Sequence, residues 1–275
     1  MKSSKFVTLL SLCLFVYALF LTSSGFCAQT DVLIDKVLEQ SGLSGQIEFL
    51  PVAVLSAVPE DAFPDQKAKV EIGSLMKKTA GKDRLLSLVR DALREDFNRE
   101  MIEKVLSFYD SKLGRKVGRV QGTALAPALI KAVREGRKTA VSMDEARLNL
   151  LRRVIKAERV TQSNEKLLQS VVKGLIDGSL VESAGRDATG PEGLTGIERE
   201  IKLDEARAQD IALVAFAHAF RPLDDKELEE LAVHKESEAG TWFEASLQKG
   251  LNRAAYETGK TLGEAASKWR KLNPK

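Results

Sequence analysis

The chain has 275 residues, of which 29% are charged and 6% are aromatic, and its net charge at pH 7 is +3. Both cysteines, Cys13 and Cys27, lie close to the N-terminus, so the main part of the chain cannot form an internal disulfide and its stability must come from packing. The abundance of Ala, Leu, Lys, Arg and Glu favours helices over strands.

Residues 1–28 have the layout of a secretory signal peptide. Lys2 and Lys5 precede an apolar run from Phe6 to Leu21, and small and polar residues follow it. This run is shorter than the roughly 20 residues that a membrane-spanning helix needs. We expect cleavage between about Gly25 and Ala28, which predicts a periplasmic or secreted protein.

Two alternatives to a cleaved signal peptide stay open. The apolar run could remain as an uncleaved anchor. Cys27 could carry a lipid, although Phe26 is larger than the residue that normally precedes a lipidated cysteine. No second apolar run approaches membrane-spanning length, so we expect the mature protein to be soluble, without a transmembrane segment.

Amphipathic helices are predicted in three consecutive stretches, because apolar residues recur there at three- and four-residue spacings. The stretches are 83–97, 101–109 and 113–128. A cap followed three positions later by an acid predicts further helix starts at Ser142/Glu145, Thr195/Glu198 and Asp224/Glu227. Pro127 should start a new segment or mark a kink, since it lacks a backbone N–H. No strand pattern is present, and the sequence predicts an all-α protein.

The segment LSFYDSKLGRKVG, residues 107–119, has the features of a corner between two helices. Phe108 and Tyr109 end the first helix, and Ser111 can cap the second by accepting a backbone N–H. Gly114 falls in the first turn of the second helix, where the lack of a side chain allows close approach. The alternative is a ligand contact centred on Tyr109.

A second copy of this pattern occurs 126 positions later. Residues 97–114 then align with residues 223–240, which places Ser237 and Gly240 on the serine and the glycine of the first copy. His234 and Lys235 stand where the first copy has its two aromatic residues. We expect the same corner in both copies.

The alignment extends upstream with a different offset. A shift of 117 places residues 37–44 on residues 154–161, which requires nine inserted residues in the second copy. They are expected in a glycine-rich loop at 178–196. The sequence therefore predicts two tandem related helical domains, about 30–141 and 142–270, of which the second has diverged.

The residues Phe108, Tyr109, Ser111 and Gly114, between an acidic and a basic amphipathic helix, resemble the Phe-Tyr-x-Ser-x-x-Gly core of the bacterial family called domain of unknown function 2059. The resemblance covers mainly residues 83–135. It implies an exported helical protein and supplies no established activity.

Catalytic motifs do not rise above chance. Ser-x-x-Lys spacings occur at Ser74/Lys77, Ser163/Lys166, Ser170/Lys173 and Ser246/Lys249, but the partner motifs of penicillin-binding enzymes are missing. His218 and His234 have no clustered thiols, so a core or surface role is favoured over a metal site. Carboxylate pairs such as Glu95/Asp96 and Asp224/Asp225 are typical of solvated helix faces. We expect no catalytic site, no metal and no cofactor.

Charge is distributed unevenly along the chain. Residues 112–159 contain thirteen Lys and Arg and four Asp and Glu, whereas residues 192–238 contain six and thirteen. The two segments could face each other within one molecule or be separately solvated. Alternatively, the basic segment presents an anion-binding face. The candidate residues for that face are Arg115, Lys116, Arg119, Arg134, Arg137, Lys138, Arg152 and Arg153.

Two classes of function follow from these features. The first is a non-enzymatic envelope module that binds a protein partner or an anionic surface, such as lipid head groups. The second is a periplasmic carrier that holds a small apolar ligand between helices. An enzyme of unrecognised mechanism is a weaker alternative. Nucleic acid is disfavoured, because the basic stretch lacks interleaved aromatic residues.

Overall fold

The computed structural model describes residues 29–58, 63, 65–135, 143–183 and 205–273. All regular elements within these ranges are helices, which confirms the all-α fold class. The predicted signal peptide, the domain boundary near 141, Ser142 and the pair Thr195/Glu198 lie outside them. None of the described helices is long and apolar enough to cross a membrane.

The first half of the chain contains α1 over residues 29–40, α2 (Leu43–Gln46), a 3-10 turn (Ile47–Phe49), α3 (Leu50–Ala57), α4 (Gln66–Thr79), α5 (Lys82–Glu95), α6 (Arg99–Asp110), α7 (Lys112–Val120), a π-helical turn (Gln121–Leu125) and α8 (Ala126–Glu135). The second half contains α9 (Glu145–Ala157), α10 (Val160–Ser183), α11 (Glu205–Ala219), α12 (Asp225–Glu236) and α13 (Glu238–Leu272).

Side-chain caps define several helix starts. The Asn98 side chain caps α6, and Asp224 caps α12 through a full capping box with Glu227, as its spacing predicts. The predicted start of α9 is wrong by two residues. Asp144 is the cap and Glu145 is the first helical residue, because the Asp144 carboxylate is the group that accepts the free backbone N–H of the first turn.

The helix that begins at Lys112 changes geometry before Pro127. Residues Gln121–Leu125 form a π-helical turn, and α8 begins at Ala126, directly before the proline. Because proline has no N–H to donate to the preceding turn, the backbone widens there instead of continuing as a regular α-helix. The change predicted at Pro127 is therefore present as a change of helix type directly before the proline, without an interruption of the helix.

One hydrophobic core joins the two halves of the chain. Its fully buried members include Val89 of α5 and Ile102 of α6 from the first half, and Leu151 of α9, Phe216 of α11 and Phe243 of α13 from the second. A smaller cluster lies between α3, α4 and the C-terminal part of α13. The units predicted at 30–141 and 142–270 therefore share a common core.

Glycines bring α10 and α13 into backbone contact. A methyl group on Gly178 would lie 2.0 Å from the carbonyl oxygen of Lys260, and one on Gly259 would lie 2.0 Å from that of Val171. Residues 178–183 therefore belong to α10, and the predicted loop at 178–196 is wrong for this part. The glycine there serves helix packing, not chain flexibility.

Candidate functional site

The predicted corner between α6 and α7 is present. The Ser111 hydroxyl accepts the backbone N–H of Gly114 at 2.9 Å. A methyl group on Gly114 would lie 1.9 Å from the carbonyl oxygen of Phe108, so the position requires glycine. Tyr109 is 1% exposed and packs edge-on against the ring of Phe243. The tyrosine fills the corner and is not accessible to an external ligand.

The corner between α12 and α13 has the same geometry. The Ser237 hydroxyl accepts the backbone N–H of Gly240 at 3.1 Å. A methyl group on Gly240 would lie 2.3 Å from the carbonyl oxygen of His234. The serine and the glycine that the sequence alignment pairs therefore have equivalent environments in the structure.

An ion pair accompanies each corner. Asp110, the last residue of α6, binds Lys36 of α1 with a separation of 2.8 Å. Glu236, the last residue of α12, binds Arg153 of α9 at 2.7 Å. Both carboxylates match under the 126-residue shift and both cations under the 117-residue shift. Each corner is thus tied to the first helix of its own half in the same way.

The two corners meet through an aromatic stack. The rings of Phe108 and His234 lie 3.7 Å apart and are nearly parallel, with an interplanar angle of 6°. Burial, with a smaller contribution from the neighbouring Lys235, lowers the pKa of His234 to about 3. The imidazole is therefore neutral at neutral pH and stacks as an uncharged ring.

A buried ionic cluster lies behind the second corner. Lys235 is 3% exposed, and its ammonium group binds Glu158 at 2.9 Å and Glu244 at 2.5 Å. Gln121 of the π-helical turn donates to Glu158 at 3.1 Å, and its side-chain oxygen lies 3.5 Å from the Tyr109 hydroxyl. The cluster therefore connects α9, α12 and α13 with the first half of the chain.

Burial and neighbouring charges have opposite effects on the pKa values of Lys235 and Glu158 in this cluster. Burial lowers the pKa of Lys235, but the Glu158 and Glu244 carboxylates outweigh it and raise that pKa well above its usual value. Burial raises the pKa of Glu158 despite the adjacent ammonium group. Burial also raises the pKa of Tyr109 to about 12. Lys235 is therefore a cation at neutral pH, held by two carboxylates in place of water.

Sequence reasoning did not identify this cluster, although one signal was available. Lys235 continues the buried stripe of α12 that Leu228, Leu231 and Ala232 form at helical spacing. A lysine within an apolar stripe requires a buried counter-charge. The identity of that counter-charge depends on which helices pack against α12.

The predicted basic residues do not form one exposed face. Lys116 binds Glu227 at 2.5 Å, and Arg153 binds Glu229 and Glu236 at 2.7 Å each. Both cations are therefore bound by carboxylates of α12, which corrects their assignment to an exposed anion-binding surface. This part of the basic segment faces the acidic segment within the molecule, because opposite charges there lie on packed helices.

The other candidate cations divide into three groups. Arg115 and Arg119 are exposed on α7. Arg152 binds Glu145 and Asn149 of its own helix. Arg134 lies in α8, but its side chain is outside the described part of the structure, as are Arg137 and Lys138.

The described side chains contain no group of three potential metal ligands. His218 lies on the exposed side of α11, where it borders an open cleft with Pro127.

No family model matches the chain, and no curated protein or solved structure is significantly similar to it.

Proposed function

We propose that this protein is an exported, non-enzymatic helical module of the cell envelope that binds an anionic surface. The observation that carries the proposal is the outward face of α7. Lys112, Arg115 and Arg119 are exposed there at helical spacing, while Lys116 on the inward side is bound by α12. Lys112 and Arg119 contact no carboxylate among the described residues.

This arrangement concentrates unneutralised positive charge on one short helix. Arg115 donates to the backbone carbonyl of Asp110, so its guanidinium group is held at the N-terminal end of the face. Exposed cations attract an anionic surface over about 10 Å at 0.1 M salt and over about 3 Å at 1 M salt. Binding through this face should therefore be reversible and sensitive to salt.

Vesicle sedimentation tests the proposal. The mature protein should sediment with phosphatidylglycerol-containing vesicles at low salt and remain in solution with phosphatidylcholine vesicles. The double variant Arg115→Glu/Arg119→Glu should lose this binding. The matched control Lys77→Glu/Lys78→Glu changes the net charge equally on the exposed surface of α4 and should bind as the wild type does.

Each result has a definite meaning. Equal binding to both vesicle types, or equal loss in the two double variants, would reject α7 as the binding face. A second result would identify the ligand of α7 as a protein partner and not an anionic surface. In that case the wild type binds no vesicles but binds an acidic envelope protein in a salt-sensitive way, and Arg115→Glu/Arg119→Glu abolishes this binding. Circular dichroism should show the same helix content in all variants, since exposed charges contribute little to stability.

We also propose that residues 30–141 and 142–270 are diverged tandem copies related to the domain of unknown function 2059 family. Support comes from the two glycine corners, from their matching ion pairs and from the helix caps Asn98 and Asp224, which are 126 positions apart. The stacked rings of Phe108 and His234 also occupy aligned positions.

The alternative function, a carrier of a small apolar ligand, is favoured by one feature. A cleft between α9, α10 and α11 is lined in part by apolar side chains, including Ile155 and Leu213. The cations that surround these side chains are not expected around a purely apolar ligand, so this function ranks second.

A further inference from the structure

The cleft between the end of α9, the start of α10 and α11 combines apolar and cationic walls. Its volume is about 730 Å³. Ile155, Val160 and Leu213 supply its apolar side chains, which are buried or half-buried. Lys156 and Arg159 are exposed at its edge.

Other polar side chains add to the same wall. Arg152 lines the cleft while donating to Glu145 and Asn149 of its own helix. Asp210 is the carboxylate among the lining residues, so cations outnumber carboxylates around the cleft by three to one. A surface of this kind matches a ligand with an anionic group and an apolar body.

The corresponding interface of the first half carries ion pairs between its helices. Asp35 of α1 binds Arg90 of α5 at 2.7 Å, and Asp31 binds Arg94 at 2.8 Å. Under the two shifts, Asp35 corresponds to Arg152. In the first half, α1 therefore presents carboxylates to α5. In the second half, α9 carries a cation at the position equivalent to Asp35.

The α11 side of the second half supplies no matching charge at these positions. The residues equivalent to Arg90 and Arg94 are Phe216 and Phe220, and both are fully buried. The positive charge of α9 is therefore not neutralised by α11 in the way that α5 neutralises α1. Arg152 is instead bound by Glu145 of its own helix. Lys156 and Arg159, which form no ion pair with a described carboxylate, remain as the cations that an anion in the cleft would contact.

Arg159 marks the same difference in the backbone. It has a φ of 50°, and the aligned residue of the first half, Gly42, has a φ of 78°. Glycine adopts such values without strain, whereas arginine does not. Arg159 therefore places an exposed guanidinium group at the cleft where the backbone alone would favour glycine.

We propose that this cleft binds a small organic anion that carries an apolar chain. Lys156 and Arg159 contact the anionic group, and the chain lies along Ile155, Val160 and Leu213. This site is separate from the cationic face of α7, so either proposal can fail without the other.

Calorimetric titration with three small probes tests the site. Octanoate carries both the anionic group and the chain, octanamide keeps the chain without the charge, and acetate keeps the charge without the chain. Wild-type protein at pH 7 should bind octanoate at least about tenfold more tightly than either of the other probes.

The variant Arg159→Gly separates binding from folding. Glycine suits the positive φ, so this protein should unfold at the same or a higher temperature than the wild type. Its octanoate affinity should nevertheless fall by about tenfold, and Lys156→Gln should have a similar effect. Lys226→Gln, an exposed charge on α12, is the matched control and should retain wild-type affinity.

Three results would overturn the proposal: no octanoate binding by the wild type, equal affinity for octanoate and octanamide, or unchanged octanoate affinity in both Arg159→Gly and Lys156→Gln. Sedimentation of Arg159→Gly with anionic vesicles should match the wild type, because α7 is unchanged. Loss of vesicle binding in this variant would show that the two sites are not separate.

Discussion

The two helix corners share one backbone geometry but fill their buried position with different chemistry. At the first corner Tyr109 occupies this position, and at the second Lys235 occupies it. Tyr109 is accommodated by ring packing, and its hydroxyl group lies 3.5 Å from the side-chain oxygen of Gln121 and also interacts with Lys235. Lys235 requires two carboxylates, those of Glu158 directly after α9 and of Glu244 in α13. The same corner can therefore hold an aromatic ring or a cation, provided that other helices supply the partners.

The surrounding positions differ accordingly. Under the shifts, Glu158 corresponds to Ser41 and Glu244 to Gly118. A methyl group on Gly118 would lie 1.9 Å from the carbonyl oxygen of Gln40, so a glutamate cannot fit there. The first half thus closes through backbone contact, and the second half fills the equivalent space with charged side chains.

The largest expected effect on stability comes from removing the buried cation of the second corner. Lys235→Met leaves Glu158 and Glu244 buried without their cation and should lower the free energy of unfolding by about 3–5 kcal/mol. Urea denaturation followed by circular dichroism measures this. The triple variant Lys235→Met/Glu158→Gln/Glu244→Gln should be clearly more stable than the single variant, because no uncompensated charge remains. Equal stability of the two would mean that lost packing, not charge, causes the effect.

The shared geometry can be tested at the two glycines. Gly114→Ala and Gly240→Ala should each destabilise the protein by about 3 kcal/mol, since the added methyl group meets a rigid backbone carbonyl. Gly81→Ala is the control, because its methyl group would lie 3.6 Å from the nearest atom and should change stability little. If only one corner variant were destabilised, the corners would not be equivalent in energy.

The stack between the corners predicts a pH dependence. His234 has a pKa of about 3 in the folded protein and near 6.5 when unfolded. The unfolded chain therefore binds more protons between these values, and stability should fall as the pH falls through this window. We expect His234 to account for about 3 kcal/mol of the loss between pH 6.5 and 4.

Two variants isolate this contribution. His234→Phe keeps a ring against Phe108 but cannot be protonated, so its stability should fall less between pH 6.5 and 4. His218→Gln changes an exposed histidine and should follow the wild-type curve. A His234→Phe curve parallel to that of the wild type would contradict the assignment. Denaturant titrations at each pH provide the values.

The smallest expected effect concerns the aromatic corner. Tyr109→Phe removes a hydroxyl group whose hydrogen bond to Gln121 is long at 3.5 Å, while the ring packing remains, so the cost should be below about 1 kcal/mol. Thermal unfolding measures it. A cost similar to that of Lys235→Met would show that the first corner depends on its polar group as strongly as the second does.

Local features of the fold could be predicted from short stretches of sequence. Apolar spacing located α5, α6 and α7, the serine and glycine located both corners, and Asp224 with Glu227 located the start of α12. These features depend on residues within a few positions of one another. The glycine-rich pattern predicts a loop at Gly178, whereas the residue packs against Lys260, which lies on a helix distant in the sequence.

The candidate sites could be predicted only in part. The excess of basic residues is evident from the sequence, but the cations that are paired with carboxylates cannot be distinguished from the unpaired ones without the helix packing. Lys116 and Arg119 look alike in the sequence, yet only Lys116 reaches the acidic helix α12. The cleft bordered by Arg159 likewise depends on the approach of α11 to α9 and α10.

The sequence by itself determined the all-α class, the positions of the corners and the change of helix type before Pro127, because helix periodicity, capping and the missing proline N–H act within one or two helical turns. The tertiary structure decided which carboxylates hold Lys235, which cations stay exposed and where helices touch through glycine. These contacts join distant parts of the chain, as Arg153 and Glu236 do across 83 positions. Their formation depends on the packing of whole helices, which no local pattern specifies.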